Sequence, residues 1–275
     1  MPGIFHNKTY FITGASRGIG KAVAVKLASE GANIVIAAKS VAENPKLGGT
    51  IFTAAAAVAA AGGQALAVPC DIRDEQMIIE AVRQAAGRFG KIDGVIHNAS
   101  AISLTDTPGT PAKRYDLMMD INVRGAFLVT KHCLPYLKES DNPHILTFSP
   151  PLDVRPRWLA PHLAYTISKY NMTLLAMGWA AEFGDRGIAA NSLWPVTTIA
   201  TAAVRNLLGG DALMQRSRKP EIMADAVYHI MQQEARGYTG RQLLDEEVLS
   251  AAGIKDLSAY AINPGSGLQK DLFLE

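Results

Sequence analysis

Short apolar segments that alternate with longer helical patterns are the strongest constraint on the fold of this chain. Most of the strand-like segments are apolar on both faces, as expected for a sheet that is covered on both sides. They are residues 8–14, 32–38, 64–70, 92–98, 143–149 and 188–194. Helical patterns lie between them, near residues 18–30, 50–62, 74–88, 112–138 and 160–184. Repeated strand–helix–strand units predict a parallel sheet with right-handed crossovers, and hence a doubly wound α/β fold in three layers.

The length of 275 residues fits one large α/β domain or two small ones. No change in composition divides the chain, so we expect a single domain over residues 1–275. The alternation weakens after residue 196, ahead of a helix at "EIMADAVYHIMQQ" and a late strand near "GRQLLD". An insert at the carboxyl end of a strand predicts a substrate lid near residues 197–220.

Composition narrows the class of function. The formal net charge of +2 offers no basic surface, so a nucleic-acid partner is not expected. No apolar run approaches the roughly 20 residues that span a bilayer, and the N-terminus lacks a signal-peptide pattern. Cys70 and Cys133 have neither metal-ligand spacing nor the number needed for a disulfide framework. We expect a cytoplasmic protein with no metal site and a small-molecule partner.

The segment "TGASRGIG" at residues 13–20 follows the first strand and opens a helix. Gly14, Gly18 and Gly20 would permit a tight turn and a close approach of the backbone to a pyrophosphate at the helix N-terminus. A structural turn remains the alternative, because glycine-rich loops often only join a strand to a helix. The order of strand, loop and helix favours a cofactor-binding loop.

Lys39 stands at the end of the second strand, where NAD-binding folds commonly carry an acid for the ribose 2′-hydroxyl. An ammonium group would attract a 2′-phosphate, and Arg17 could reach the same group. The pattern therefore predicts a preference for NADP(H) over NAD(H). The alternative is that both are ordinary solvated charges.

Two residues follow later strands. Asp71 could accept a hydrogen bond from an adenine amino group or could cap the next helix, and both are open. Asn98, in "HNAS", could fix the loop that passes under the cofactor, or could be a turn residue.

A candidate catalytic group comes from the fifth strand and the helix after it. Ser149 ends that strand before two prolines, and Tyr165 and Lys169 stand one helical turn apart. An ammonium near the phenol would lower its pKa from about 10 towards neutral pH, and a serine hydroxyl could donate to a substrate oxygen. The alternative is a packed helix with no chemistry.

Four motifs in order, "TGASRGIG", "HNAS", "NVRG" and "YTISK", resemble those of the short-chain dehydrogenase/reductase family. Further segments, among them "SPPL" and "YAINPG", resemble its hydroxysteroid dehydrogenase-like subfamily, although the chain is too short to include that subfamily's sterol-carrier domain. The resemblance implies a Rossmann-type fold and a homodimer or homotetramer.

The same resemblance implies residue roles. Tyr165 would be the general acid or base, Lys169 would hold the nicotinamide ribose and lower the Tyr165 pKa, and Ser149 would orient the substrate oxygen. Asn122 would bind a water linked to Lys169, although mid-helix it could equally be a satisfied kink. Further cofactor contacts are implied at Ser16, Ile19 and Thr198.

Two departures from the family pattern stand out. Ser149 lies 16 residues before Tyr165, whereas the serine and tyrosine of the family that this chain resembles are commonly about 13 residues apart. Val196 replaces the glycine that usually follows Pro195 in that family. We expect an NADP(H)-dependent oxidoreductase that interconverts an alcohol and a carbonyl on a hydrophobic substrate. The alternative is a nucleotide-binding regulatory or scaffold protein with little turnover.

Overall fold

The fold is built on one parallel sheet of seven strands. The structure is a computed structural model that describes residues 3–275. The strands are β1 Thr9–Thr13, β2 Asn33–Ala38, β3 Gln64–Pro69, β4 Gly94–His97, β5 His144–Phe148, β6 Ala189–Trp194 and β7 Gln242–Leu244. Their order across the sheet is β3-β2-β1-β4-β5-β6-β7, and every neighbouring pair is parallel. The order reverses between β1 and β4, as in a doubly wound fold.

The α-helices cover both faces of the sheet. They are α1 Gly18–Ser29, α2 Ile51–Ala60, α3 Glu75–Phe89, α4 Ala112–Met118, α5 Ala126–Leu137, α6 Pro156–Leu159, α7 Leu163–Phe183, α8 Gly210–Gln215, α9 Glu221–Met231 and α10 Asp245–Ala251. Two π-helical segments, Met119–Gly125 and Val204–Leu208, and two 3₁₀ segments, Gly184–Arg186 and Ser258–Tyr260, complete the helical structure.

Alternate side chains of each strand enter different cores. Ile12 packs with α1, α2 and α9 on one face, whereas its neighbour Phe11 packs with α3, α5 and α7 on the other. Both side chains are fully buried. The apolar character of both faces of the central strands follows from this arrangement.

The predicted fold class is confirmed, and all six strand segments and the late strand are present. The helix predicted over residues 112–138 is one continuous run, with the Met119–Gly125 π-helical turn between α4 and α5. The insert at residues 197–220 contains the Val204–Leu208 segment and α8. Among residues 3–275, no helix has the length and apolar character to cross a membrane.

Candidate active site

A cleft of about 1270 Å³ opens at the carboxyl edge of the sheet, where the strand order reverses between β1 and β4. This crevice is where ligands bind in open α/β sheets. Ten of the predicted site residues line it: Gly14, Ser16, Arg17, Gly18, Ile19, Lys39, Asp71, Asn98, Tyr165 and Lys169. The insert after β6 contributes the facing wall, from Ile199 to Leu208. Thus one cleft holds the glycine loop and the Tyr165–Lys169 pair.

The glycine loop has the shape that a phosphate cradle needs. Gly14 and Gly18 adopt φ of 68° and 54°, a region that disfavours side chains. A Cβ on Gly20 would come within 2.4 Å of Nδ2 of Asn98. That amide donates to the carbonyls of Thr13 and Gly14, both at 3.0 Å, so Asn98 braces the loop.

The start of α1 is open to a ligand. Arg17 is its N-cap residue and makes no side-chain capping hydrogen bond, so the first N–H groups of the helix are not capped. These groups and the helix dipole favour an anion at this position. Glycines without room for a Cβ, together with an uncapped helix N-terminus, fit the pyrophosphate of a dinucleotide.

Arg17 and Lys39 differ in their surroundings. The guanidinium of Arg17 donates from Nε to the Gly48 carbonyl at 2.6 Å, and from Nη2 to Ser40 Oγ at 2.8 Å and the Gly49 carbonyl at 2.9 Å. Arg17 is therefore a structural tie to the loop after β2, and not a simply solvated charge. Lys39 is exposed at the cleft and has no ion pair within 4.0 Å among residues 3–275.

Asp71 does not cap the next helix. Asp74 does so, accepting from the backbone N–H groups of Gln76 and Met77 at 2.8 and 3.3 Å. The carboxylate of Asp71 instead binds the guanidinium of Arg73, and this hydrogen bonding lowers its pKa. Asp71 also lines the cleft, and the adenine contact expected for it stays a prediction.

The α7 helix places Tyr165 and Lys169 on its cleft side. Lys169 is 2% exposed, and its ammonium donates to the Phe148 carbonyl and lies 5.1 Å from the centre of the Trp194 ring. Burial lowers the pKa of Lys169 to about 7, an effect that the negative charge of Asp271 opposes. Tyr165 is 5% exposed, and its phenol oxygen makes no hydrogen bond within residues 3–275.

The predicted lowering of the Tyr165 pKa is wrong. Burial raises this pKa above its ordinary value, and the nearby Asp271 carboxylate raises it further. The ammonium of Lys169 is directed at the Phe148 carbonyl and is easily deprotonated, so it does little to stabilise a phenolate. The phenol of Tyr165 is therefore protonated at neutral pH.

Ser149 does not reach the cleft. Its side chain is fully buried, and its hydroxyl lies 2.9 Å from both Thr147 Oγ1 and Thr173 Oγ1. Because Thr147 and Ser149 lie two residues apart, they share one face, and the intervening Phe148 is the residue that borders the cleft. The geometry does not support the substrate-orienting role expected for Ser149.

Thr198 is also outside the cleft wall. Its hydroxyl pairs with Ser217 Oγ at 2.8 Å, and its backbone N–H donates to the Gln269 carbonyl at 2.9 Å. Val196 keeps a negative φ, as its side chain requires, and its N–H donates to Asp245 Oδ1 at 2.8 Å. The path after Pro195 thus brings Ile199 and Thr201, rather than Thr198, to the cleft.

Asn122 lies in the π-helical turn and is fully buried. Its amide donates to the Ala101 carbonyl at 3.0 Å and to Ser168 Oγ at 2.9 Å, and its Oδ1 accepts from the Ala101 N–H at 2.8 Å. The side chain therefore fastens the segment after β4 to α7, as expected of a satisfied kink, and it has no surface on the cleft.

Sequence reasoning missed the C-terminal residues Asp271 and Phe273. Asp271 lines the cleft beside Tyr165 and Lys169, and Phe273 packs against Tyr165 with ring centres 6.2 Å apart. Both lie about 90 residues beyond the end of α7 in sequence, in a segment with no strand or helix periodicity. Only the surplus of apolar residues in "DLFLE" pointed to a packed segment.

The chain is similar to known dehydrogenases over most of its length. The family model for short chain dehydrogenases matches residues 8–209. Hydroxysteroid dehydrogenase-like protein 2 of Danio rerio is 54% identical over 97% of this chain, which spans 64% of the length of that relative. The crystal structure of a protein assigned as a dehydrogenase from Xanthomonas campestris is 53% identical, with a TM-score of 0.96 over 98% of this chain and 99% of that chain.

More distant structures contain cofactors. A short chain dehydrogenase from Mycobacterium paratuberculosis bound to NAD is 25% identical, with a TM-score of 0.74 over 88% of this chain and 97% of that one. A metagenomic short-chain oxidoreductase in complex with NADP is 23% identical, with a TM-score of 0.71 over 87% and 97%. The family model matches residues 8–209, and the relative from Danio rerio is 54% identical over nearly the whole chain. This chain therefore belongs to the short-chain dehydrogenase family.

Proposed function

We propose that this chain is an NADP(H)-dependent oxidoreductase that interconverts an alcohol and a carbonyl on a hydrophobic substrate. The observation that carries the proposal is the shared cleft, which is lined both by the glycine loop and by Tyr165 and Lys169. A protein that only binds nucleotides has no need for a phenol and an ammonium buried one helical turn apart, because burying a lysine costs stability.

The residues of the cleft fit a dinucleotide, which supplies or accepts a hydride at its nicotinamide when bound. The loop from Gly14 to Gly20 and the start of α1 would hold the pyrophosphate. Lys39 would pair with the 2′-phosphate of NADP(H), since its ammonium has no other ionic partner within residues 3–275. Asp71 would accept from the adenine amino group, and Lys169 would hold the nicotinamide ribose.

Tyr165 would be the general acid in carbonyl reduction. An ordinary tyrosine phenol is protonated at neutral pH, and burial raises the pKa of Tyr165 further, so a proton is in place when a carbonyl oxygen accepts negative charge. In the reverse direction the phenolate would accept the alcohol proton. A bound cofactor and the ammonium of Lys169 would then have to stabilise the phenolate.

Apolar side chains form much of the cleft lining. They include Ile102, Ile121, Trp194, Leu207, Leu208 and Met214. The residues from Val204 to Leu208 belong to the insert that we propose as the lid. A long-chain, terpenoid or steroid-like carbonyl fits this lining, and the similarity to hydroxysteroid dehydrogenase-like protein 2 of Danio rerio favours the steroid-like class.

The test is single-turnover hydride transfer from 4-deuterated NADPH to a panel of ketones, with Tyr165→Phe as the variant. The phenylalanine keeps the ring against Phe273 and removes the proton donor. We expect hydride transfer to fall by about 10²–10⁴, the usual contribution of general acid–base catalysis, while NADPH affinity changes little. Tyr170→Phe is the matched control, because the Tyr170 hydroxyl donates to the Asp153 carbonyl and does not line the cleft.

The alternative function is that of a nucleotide-binding regulatory or scaffold protein. The burial of Ser149 away from the cleft favours this alternative. NADPH binding without hydride transfer to any ketone in the panel, together with no transfer from the corresponding alcohols to NADP+, would establish the alternative. Transfer by the Tyr165→Phe protein at the parental rate would instead refute the assigned role of Tyr165.

The proposal includes a homodimer or homotetramer and, as predicted from the sequence, a cytoplasmic location. Exposed apolar residues on α5 and α7 support pairing of these helices between two copies: Phe127 is 48% exposed, Leu174 51% and Met177 40%. Sedimentation of the parent and of Leu174→Glu would test it, with a smaller species expected for the variant.

A further inference from the structure

The C-terminal segment, residues 269–275, is folded back onto the substrate side of the cleft. It is held by backbone hydrogen bonds along the chain that follows β6. The Thr198 N–H donates to the Gln269 carbonyl at 2.9 Å, and the Asp271 N–H donates to the Val196 carbonyl at 3.1 Å. Trp194 Nε1 donates to the Leu272 carbonyl at 2.9 Å. These hydrogen bonds therefore hold the backbone before, at and after Asp271.

Phe273 locks this position. Its side chain is 2% exposed and lies among aromatic rings, with ring centres 5.3 Å from Tyr170, 5.9 Å from Trp194 and 6.2 Å from Tyr165. Its φ of 73° is in the left-handed region, which is unfavourable for a bulky residue. Such strain persists only where the surrounding packing imposes it, and it is commonly found near functional sites.

The carboxyl group of Asp271 is oriented but not saturated. Its Oδ1 accepts from the Leu272 N–H at 2.7 Å, whereas Oδ2 has no hydrogen-bond partner among residues 3–275. The residue lines the same cleft as Tyr165 and Lys169. One carboxyl oxygen is thus available to a molecule in the cleft.

The end of β5 offers no donor to that molecule. The Ser149 hydroxyl is directed at Thr147 and Thr173, and the next two residues, Pro150 and Pro151, have neither a hydroxyl nor an N–H. A substrate oxygen placed beside Tyr165 would lack a second donor from this strand. A carboxylic acid in its neutral form can donate one hydrogen bond and could supply this missing donor.

We propose that Asp271, in its protonated form, donates a hydrogen bond to the substrate oxygen beside Tyr165. This inference rests on the proposed carbonyl–alcohol function. In reduction, the hydride joins the carbonyl carbon and the phenol proton of Tyr165 passes to the oxygen. Asp271 keeps its proton throughout and only polarises the carbonyl bond.

The surroundings of Asp271 favour the neutral acid. Burial is the largest cause and raises its pKa to about 7, and the negative charge of Asp245 at the start of α10 acts in the same direction. The Leu272 N–H and the ammonium of Lys169 oppose this. Tyr165 and Lys169 on α7 and Asp245 on α10 are the titratable groups that face it. Above pH 7 the ionised carboxylate would be an acceptor only.

The experiment compares Asp271→Asn, which keeps an N–H donor, with Asp271→Leu, which has a similar volume and no donor. Single-turnover reduction of 2-decanone and cyclohexanone by NADPH is measured from pH 5.5 to 9. We expect Asp271→Leu to be about 10²–10³-fold slower, as for loss of one preorganised donor. We expect Asp271→Asn to be within about tenfold of the parent at pH 6 and to lose the fall in rate that the parent shows above pH 7. Asp185→Asn makes the same chemical change at an exposed position outside the cleft and should behave as the parent does.

A second measurement reports on Asp271 without activity. The urea midpoint of Asp271→Asn should equal that of the parent at pH 4 and exceed it at pH 8, where only the parent buries a carboxylate. Equal midpoints at both pH values, or parental reduction by Asp271→Leu, would overturn the assignment while leaving the proposed function in place. Absence of hydride transfer by the parent itself would overturn both.

Discussion

Lys169→Met tests whether the buried ammonium of Lys169 lowers the free energy of unfolding of the protein. The pKa of Lys169 falls from an ordinary 10.5 to about 7 because the side chain is buried. At 1.36 kcal/mol per pH unit, keeping this ammonium charged lowers the free energy of unfolding by about 5 kcal/mol. Removing it also removes the hydrogen bond to the Phe148 carbonyl, which is worth about 1.5–3 kcal/mol for a charged donor. Methionine fills a similar volume, so we expect the cofactor-free variant to be about 2–3 kcal/mol more stable than the parent below pH 7.

The pH dependence follows from the sign of the pKa change. The folded state binds fewer protons at Lys169 than the unfolded state between pH 7 and 10.5, so the parent gains stability as pH rises through this window. The advantage of Lys169→Met should therefore be full below pH 7, fall by about 1.36 kcal/mol per pH unit above it, and reach zero near pH 9. Urea unfolding of the cofactor-free proteins at pH 6.5, 8 and 9.5, followed by far-UV circular dichroism, measures it.

The control is Lys255→Met, which makes the same change at an exposed lysine. Its free energy of unfolding should stay within about 0.5 kcal/mol of the parent at every pH. A Lys169→Met protein that is less stable than the parent at pH 6.5, or whose advantage does not depend on pH, would refute the reasoning. The same variant should bind NADPH more weakly and turn over more slowly.

Two further substitutions test the cofactor end and the corrected serine. Lys39→Asp should weaken NADPH binding by about 1.5–3 kcal/mol, the value of a charge-assisted contact, and should change NADH affinity much less. A fluorescence titration measures both affinities, and Lys255→Asp is the control. An equal loss of affinity for both cofactors would contradict the phosphate contact. Ser149→Ala should lower the free energy of unfolding by about 1–3 kcal/mol, because Thr147 and Thr173 lose a buried partner. Its turnover should change less than tenfold, and a drop of about a hundredfold or more with the fold intact would restore Ser149 to the reaction.

The fold was predictable because its signals are local and repeated. Each central strand is apolar on both faces, as Phe11 and Ile12 show by entering different cores, and helical segments separate the strands along the chain. Right-handed crossovers then leave little choice of topology. The glycine loop and the Tyr165–Lys169 pair were equally readable, since each lies within a single turn or helix.

The predictions that were wrong concern residues whose positions depend on contacts between segments distant in sequence. Whether Ser149 or Phe148 borders the cleft depends on the register of β5 against β6, which a sequence does not state. The hydroxyl partner of Thr198 is Ser217, on the far side of the insert, and its backbone partner is Gln269. The direction of the Tyr165 pKa was wrong because burial and Asp271 outweigh Lys169, and both are products of the tertiary fold.

The positions of Tyr165, Lys169 and Asp271 have a common consequence for the proposed reaction. Since each is close enough to affect the ionisation of another within one buried region, a proton gained by one changes the pKa of the others. A cofactor phosphate or a substrate oxygen entering the cleft would shift all three together. The pH profile of turnover would then report apparent pKa values of the set and not of a single residue. Because Phe273 holds both the Tyr165 ring and the Asp271 backbone in place, the C-terminal segment would set the chemistry of the centre as well as the shape of its substrate wall.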